Sequence, residues 1–221
     1  MKPTKSPEIH TLERLVSLDA PKPEDILIED IAWSLAVNPR FNGHTRWRGH
    51  RRFYSVAEHS VLASLAPGLP THKAYPKIHA WALLHDAFEG YAHDIIRPLK
   101  NAMLTAAYND WEIKFFHALA KKFSLGTVCT VANNSFLRQI DDELLDLEIA
   151  LLTNITPTPR RPPNIGYGNI WLERPPLTAD EAFQAFMERA RELRLSSPEP
   201  SGRTTTHVPQ RWLAPGWFEG E

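Results

Sequence analysis

The sequence predicts an all-α domain, and three observations carry that prediction. Residues 105–123 and 133–153 are amphipathic at the three- and four-residue spacing of a helix face. Residues 76–87, PKIHAWALLHDA, are apolar on nearly every side, as expected for a helix buried at the centre of a fold. No stretch alternates apolar and polar residues convincingly enough to be read as a strand.

The elements follow in order. Residues 1–25 carry four prolines among mixed charges and read as an irregular lead-in. A short helix is expected from Glu29 to Val37, stopped by Asn38-Pro39 because a residue before proline avoids the helical region. Residues 40–54, RFNGHTRWRGHRRFY, have no apolar period and form a basic loop. Ser55, with Glu58 three residues later, reads as a capping box opening a helix over 55–66, which Pro67-Gly68 closes. Pro76 sits in the tolerated first turn of the next helix. After Thr153 the composition changes: ten of the nineteen prolines lie in residues 154–221, beside a Ser/Pro/Thr-rich stretch at 196–209. The expected division is a helical domain over 1–153 and a Pro-rich C-terminal extension over 154–221. The extension reads as an arm or lid with one helix near 178–195.

Composition limits the function. A chain of 221 residues, 43% of them hydrophobic, suits one sizeable core. Its 25 basic and 26 acidic residues nearly cancel, so stable nucleic-acid binding is not expected and a bound anion needs a local patch. The single cysteine, Cys129, excludes an internal disulfide framework and a thiolate zinc cluster, which fits a reducing cytosol. A metal site must therefore use histidines and carboxylates. No apolar run approaches the ~18 residues of a membrane span and no signal-peptide core opens the chain. The expectation is a soluble cytoplasmic protein with no membrane partner, for which a homo-oligomer remains open.

Helical phase then selects the chemistry. In the helix from Ser55, Val56, His59, Ala63 and Ala66 share one face. In the next, Ile78, Trp81, Ala82 and His85 fall together, and Asp86 follows. If Leu137, Ile140, Leu144, Leu147 and Leu151 form the buried stripe of the fourth helix, Asp141 lies roughly 80° from its centre and Asp142 roughly 180° away. Asp141 is thus expected to border the core and Asp142 to face solvent, with Glu148 on the face of Asp141. His59, His85, Asp86 and Asp141 arrive from three helices and can converge. Two imidazoles and two carboxylates suit a divalent transition metal (Mn, Fe, Co, Ni or Zn) rather than calcium. Buried aspartates also need a cation nearby.

The order His59, His85-Asp86, Asp141 resembles the signature of the HD superfamily of metal-dependent phosphohydrolases. The flanking stretches RFNGHT (40–45), YSVAEHS (54–60) and ALLHDAFEGYAHDIIRPLK (82–100), with the Asp141 to Glu148 spacing, are similar to those of small bacterial and viral deoxynucleotide phosphohydrolases. The likeness covers about residues 29–153 and implies an all-α HD-domain fold, one divalent metal, and Mg entering with substrate. It also implies catalytic roles for Glu89 and Asp94, three and eight residues after Asp86. Charge developing on phosphoryl oxygens needs cations, and the basic loop supplies arginines with bidentate geometry. Arg40 and Arg46 are the first candidates, His44 and Lys100 the next, and Trp33 is a candidate to stack on a base. Isolated histidines such as His79 and His117 read as ordinary packed residues, and His93 as a loop residue. The implied activity is nucleotide phosphohydrolysis, taking either a deoxynucleoside monophosphate to nucleoside plus phosphate or a triphosphate to nucleoside plus triphosphate. An HD-type phosphodiesterase or nuclease, or a non-catalytic metal- or nucleotide-binding regulatory module, is the alternative.

Overall fold

The computed structural model describes residues 6–66, 69, 77–93, 106–156 and 174–195. Seven helices stand in this part of the chain: α1 (Ile28–Val37), α2 (Val56–Ser64), α3 (Ile78–Leu84), α4 (Glu89–Ala92), α5 (Ala106–Lys122), α6 (Ser135–Leu152) and α7 (Ala179–Glu192). The mostly helical architecture is as expected. It also holds two antiparallel hairpins that the sequence pattern does not announce. β1 (Glu8–His10) pairs with β2 (Leu15–Ser17), and β3 (Arg46–Trp47) with β4 (His50–Arg51). Strands of two and three residues are too short to show an alternation. In the second hairpin the loop residues Arg48 and Gly49 have φ of 47° and 84°, the pair of positive values that a tight two-residue turn requires.

Helix α2 is the centre of the molecule. It packs against α1, α3, α6 and α7, and all of its residues are buried. Surrounded on every side, it has no solvent face on which to place Glu58, His59, Ser60 and Ser64, so these polar groups are interior. Ser55 caps α2 by accepting the Glu58 N–H at 3.1 Å. The other half of the expected capping box is absent among the bonds of Glu58. Its carboxylate turns away to accept Arg174 NH1 at 2.9 Å and the Leu177 N–H at 2.8 Å. A more distant cation and amide therefore outcompete the local cap.

Those bonds bring the C-terminal part of the chain into the fold. The helix expected near 178–195 is α7, opened by a complete capping box between Thr178 and Glu181. Ala182, Phe186, Met187 and Ala190 are buried in the same core as α1 and α2. Arg52 donates Nε and NH2 to the Pro176 carbonyl, and Arg189 reaches Ser64 at the end of α2.

Helix α6 starts at Asn134, whose side chain accepts the Phe136 and Leu137 N–H groups. Its buried residues are Leu137, Ile140, Asp141, Asp142, Leu144, Glu148 and Leu152. The exposed position expected for Asp142 is therefore wrong: it is 9% exposed. The phase argument assumes one covered stripe, whereas α6 meets α2, α3 and β3. The covered face is also turned roughly 50° from the leucine stripe, which puts Asp141 and Glu148 inside it rather than at its border.

The expected helix over 76–87 is α3, and it ends at Leu84. The chain turns through 85–88 before the short α4. Phe88 and Tyr91 pack at a tilt against Phe115 of α5, and Trp81 against Phe116. This aromatic seam seats the turn that carries His85 and Asp86.

Candidate metal centre

Three elements deliver the site. α2 presents His59, the end of α3 presents His85 and Asp86, and α6 presents Asp141 and Glu148. One ligand atom each from His59, His85 and Asp141 lies within 4.8 Å of the others, and all three residues are buried. Asp86 flanks the cluster, with Oδ2 3.3 Å from His85 Nε2 and 3.7 Å from His59 Nε2. His59 Nε2 is 3.5 Å from Asp141 Oδ1.

The tautomers follow from the outer partners. His85 Nδ1 lies 2.7 Å from the Ala82 carbonyl, which only accepts, so Nδ1 carries the proton. His59 Nδ1 lies 2.6 Å from Glu148 Oε1, and an ionised carboxylate likewise only accepts. Each neutral ring therefore presents a bare lone pair at Nε2, and the two Nε2 atoms face each other at 3.2 Å. Two lone pairs at that distance repel, and either a proton on one Nε2 or a metal ion between the rings and the carboxylates removes the repulsion.

The proton affinities agree. Burial opposes protonation of His85, but the charge and hydrogen bond of Asp86 outweigh it and raise the imidazole to about 9. For His59, burial and Arg40 oppose protonation, yet Glu148 and Asp141 carry it above the ordinary value. Burial alone would raise the carboxylates. Instead, His85 holds Asp86 well below the usual carboxylate range, and the His59 hydrogen bond brings Asp141 down to about 2. The pocket favours positive charge at its centre and ionised oxygens around it. This donor set could hold a metal ion: imidazole and carboxylate donors lie at mutual reach, with the outer ring nitrogens already committed.

Glu148 is the member that sequence reasoning undervalued. It is fully buried and accepts three hydrogen bonds, from Tyr54 OH at 2.7 Å and His59 Nδ1–H on Oε1 and from Arg40 Nε at 2.9 Å on Oε2, where Arg40 Nη2 adds an ion-pair contact at 2.9 Å. Burial would raise its carboxyl, but Arg40, then His59 and Tyr54, hold it below the ordinary range. Its seven-residue spacing from Asp141 was a visible signal. Its partners, 89 to 108 positions away, were not.

The remaining predicted residues separate. Arg40 is at the centre, but two of its donor groups are bound to Glu148, and NH1 stands 3.7 Å from Asp86 Oδ2. It is aimed there by an unusual turn, in which Phe41, Asn42 and Gly43 all have left-handed φ, of 54°, 51° and 76°. Such a conformation costs about 1–2 kcal/mol at a residue like phenylalanine. The Arg40 N–H bond to the Tyr54 carbonyl and the ion pair to Glu148 hold the turn in place. His44, beyond the turn, is exposed. Arg46 donates Nε to the Thr153 carbonyl just past α6. Trp33 is 49% exposed and packs edge-on to Phe183 of α7. Glu89 is part-buried at the start of α4, one turn after Asp86. Asp94 and Lys100 lie outside the described residues.

Two curated proteins resemble the chain. YfdR of Escherichia coli strain K12 is 40% identical over 105 residues, which is 48% of this chain and 51% of that protein. A protein of Rhodobacter capsulatus is 39% identical over 120 residues, 52% of this chain and 56% of its own length. Both are described as uncharacterized. The chain thus spans about half the length of the curated relatives it matches. No protein-family profile matches it.

Proposed function

We propose that this protein is a metal-dependent phosphohydrolase of the HD type, acting on a deoxynucleotide. The observation that carries the proposal is the convergence of two imidazole Nε2 atoms, 3.2 Å apart, with the carboxylates of Asp86 and Asp141. That arrangement suits a divalent cation better than it suits a packed core.

His59, His85, Asp86 and Asp141 are the proposed ligands. Bound there, a divalent cation supplies a positive charge that polarises phosphoryl oxygen and acidifies water. The chain's own groups have the remaining roles. Glu89, one turn beyond Asp86, orients the attacking water and takes its proton, and Asp94 protonates the leaving oxygen. The exposed Arg51 of the β3–β4 hairpin is the proposed phosphate partner, since Arg40 and Arg46 are already bonded within the fold and Arg48 stacks on Trp47. No helix among the described residues is long and apolar enough to cross a membrane.

The test is metal content of the purified protein, then release of phosphate and triphosphate from all deoxynucleoside mono-, di- and triphosphates with added Mn, Co, Zn or Mg. Asp86→Ala is expected to lose both metal and turnover. Glu89→Ala is expected to keep the metal while turnover falls by about 10²–10⁴-fold, the usual range for a general acid–base group. A wild-type protein that takes up metal but hydrolyses none of the panel would move the reading to a binding module. Equal metal loss in both variants would overturn the division of roles.

A further inference from the structure

We infer that Glu148 is a positioning residue that sets the tautomer of His59, and that Arg40 forces it to do so. This rests on the metal centre proposed above, and it assigns Arg40 a role other than phosphate binding.

An ionised carboxylate only accepts, and both oxygens of Glu148 are engaged, by three hydrogen bonds and one further ion-pair contact. Two of these contacts come from one guanidinium, which is charged at every relevant pH. The Arg40 guanidinium holds Oε2 through the Nε hydrogen bond and the Nη2 ion-pair contact, which keeps that oxygen on the arginine side. Oε1 is thereby presented to Tyr54 and His59 Nδ1. His59 must then carry its proton on Nδ1, leaving the Nε2 lone pair toward His85, Asp86 and Asp141. His85 needs no such device, since its Nδ1–H is held by a backbone carbonyl three residues earlier.

The consequence is specific to an amide. In Glu148→Gln, the single amide oxygen goes to the obligate donor Arg40, and the NH₂ group turns toward His59. The hydroxyl of Tyr54 can rotate, but the ring must then accept at Nδ1 and protonate Nε2. An amide behind a histidine is a known route to the wrong tautomer. Removing Arg40 as well releases the amide, whose oxygen can return to His59.

The experiment measures zinc affinity of the full chain by chelator competition, together with ¹⁵N shifts of the His59 ring through a pH titration of the metal-free protein. Glu148→Gln is expected to bind zinc about 10–100-fold more weakly, the usual loss for an outer partner of a ligating histidine, and to populate the Nε2–H tautomer. The double variant Arg40→Met/Glu148→Gln is expected to regain at least tenfold over Glu148→Gln. Should the single variant not fold, two uncharged pairs decide the matter. Arg40→Met/Glu148→Gln keeps an acceptor for His59 and Arg40→Met/Glu148→Leu does not, so the first must bind zinc at least tenfold more tightly. Equal affinity in that pair, or an unchanged Nδ1–H tautomer in Glu148→Gln, overturns the inference. If the wild type binds no zinc, the metal reading fails and the ring tautomer alone decides the role of Glu148.

Discussion

Glu148 and Glu58 have the same chemistry and different work. Both are buried to within 1% exposure, both meet an arginine, and both belong to helices that pack against one another. On the far side of Glu148 stands an imidazole whose other nitrogen faces a second imidazole and two aspartates. Glu58 instead accepts the backbone N–H of Leu177, at the entry to α7. Burial of a carboxylate therefore does not mark a reactive centre. What separates the two is whether the group behind the carboxylate has a lone pair left to offer.

The contrast can be broken at Glu58. Glu58→Ala removes the acceptor of Arg174 NH1 and of the Leu177 amide and is expected to cost about 3–5 kcal/mol in urea unfolding, as for one partner of a buried ion pair. Zinc affinity of the folded protein should stay within about twofold, since substitutions at separate sites act independently. A tenfold loss of zinc affinity would show that the docked segment also shapes the proposed metal centre.

A smaller effect sharpens the same point at α7. Thr178→Ala removes the cap that accepts the Glu181 N–H and is expected to cost about 1 kcal/mol, read as a lowered urea midpoint with unchanged metal affinity. The smallest effect is one of pH. The Thr178 backbone N–H holds the Glu181 carboxyl below its ordinary value, more than burial raises it. A depressed carboxyl stabilises the fold above its unfolded pKa, and that contribution fades as pH falls through the folded value. The stability difference between wild type and Glu181→Gln should be constant above about pH 5 and shrink below it. A difference that grows on acidification would mean that Glu181 is not ionised in the cap.

Much of the helical layout was legible because its causes are local. Asn38-Pro39 stops α1, Asn134 caps α6, and Thr178 with Glu181 opens α7, each acting within one turn. The convergence of His59, His85 and Asp141 was legible from helical phase. The capping-box reading of Ser55 and Glu58 failed by half because the pattern is blind to Arg174, 116 positions away. The solvent-facing reading of Asp142 failed because a leucine stripe locates only one covered side of a helix. The hairpin at 46–51 was hidden by its length, with Gly49 as its one local trace.

The sequence by itself determined where the helices lie and which side chains could serve as ligands, since both depend on residue type and a 3.6-residue period. Only the tertiary structure decided the rotation of α6 about its axis and, with it, which arginine meets which glutamate. Those choices are made by packing α2 on all sides at once, and the Arg40 to Glu148 contact spans 108 residues that no local pattern connects.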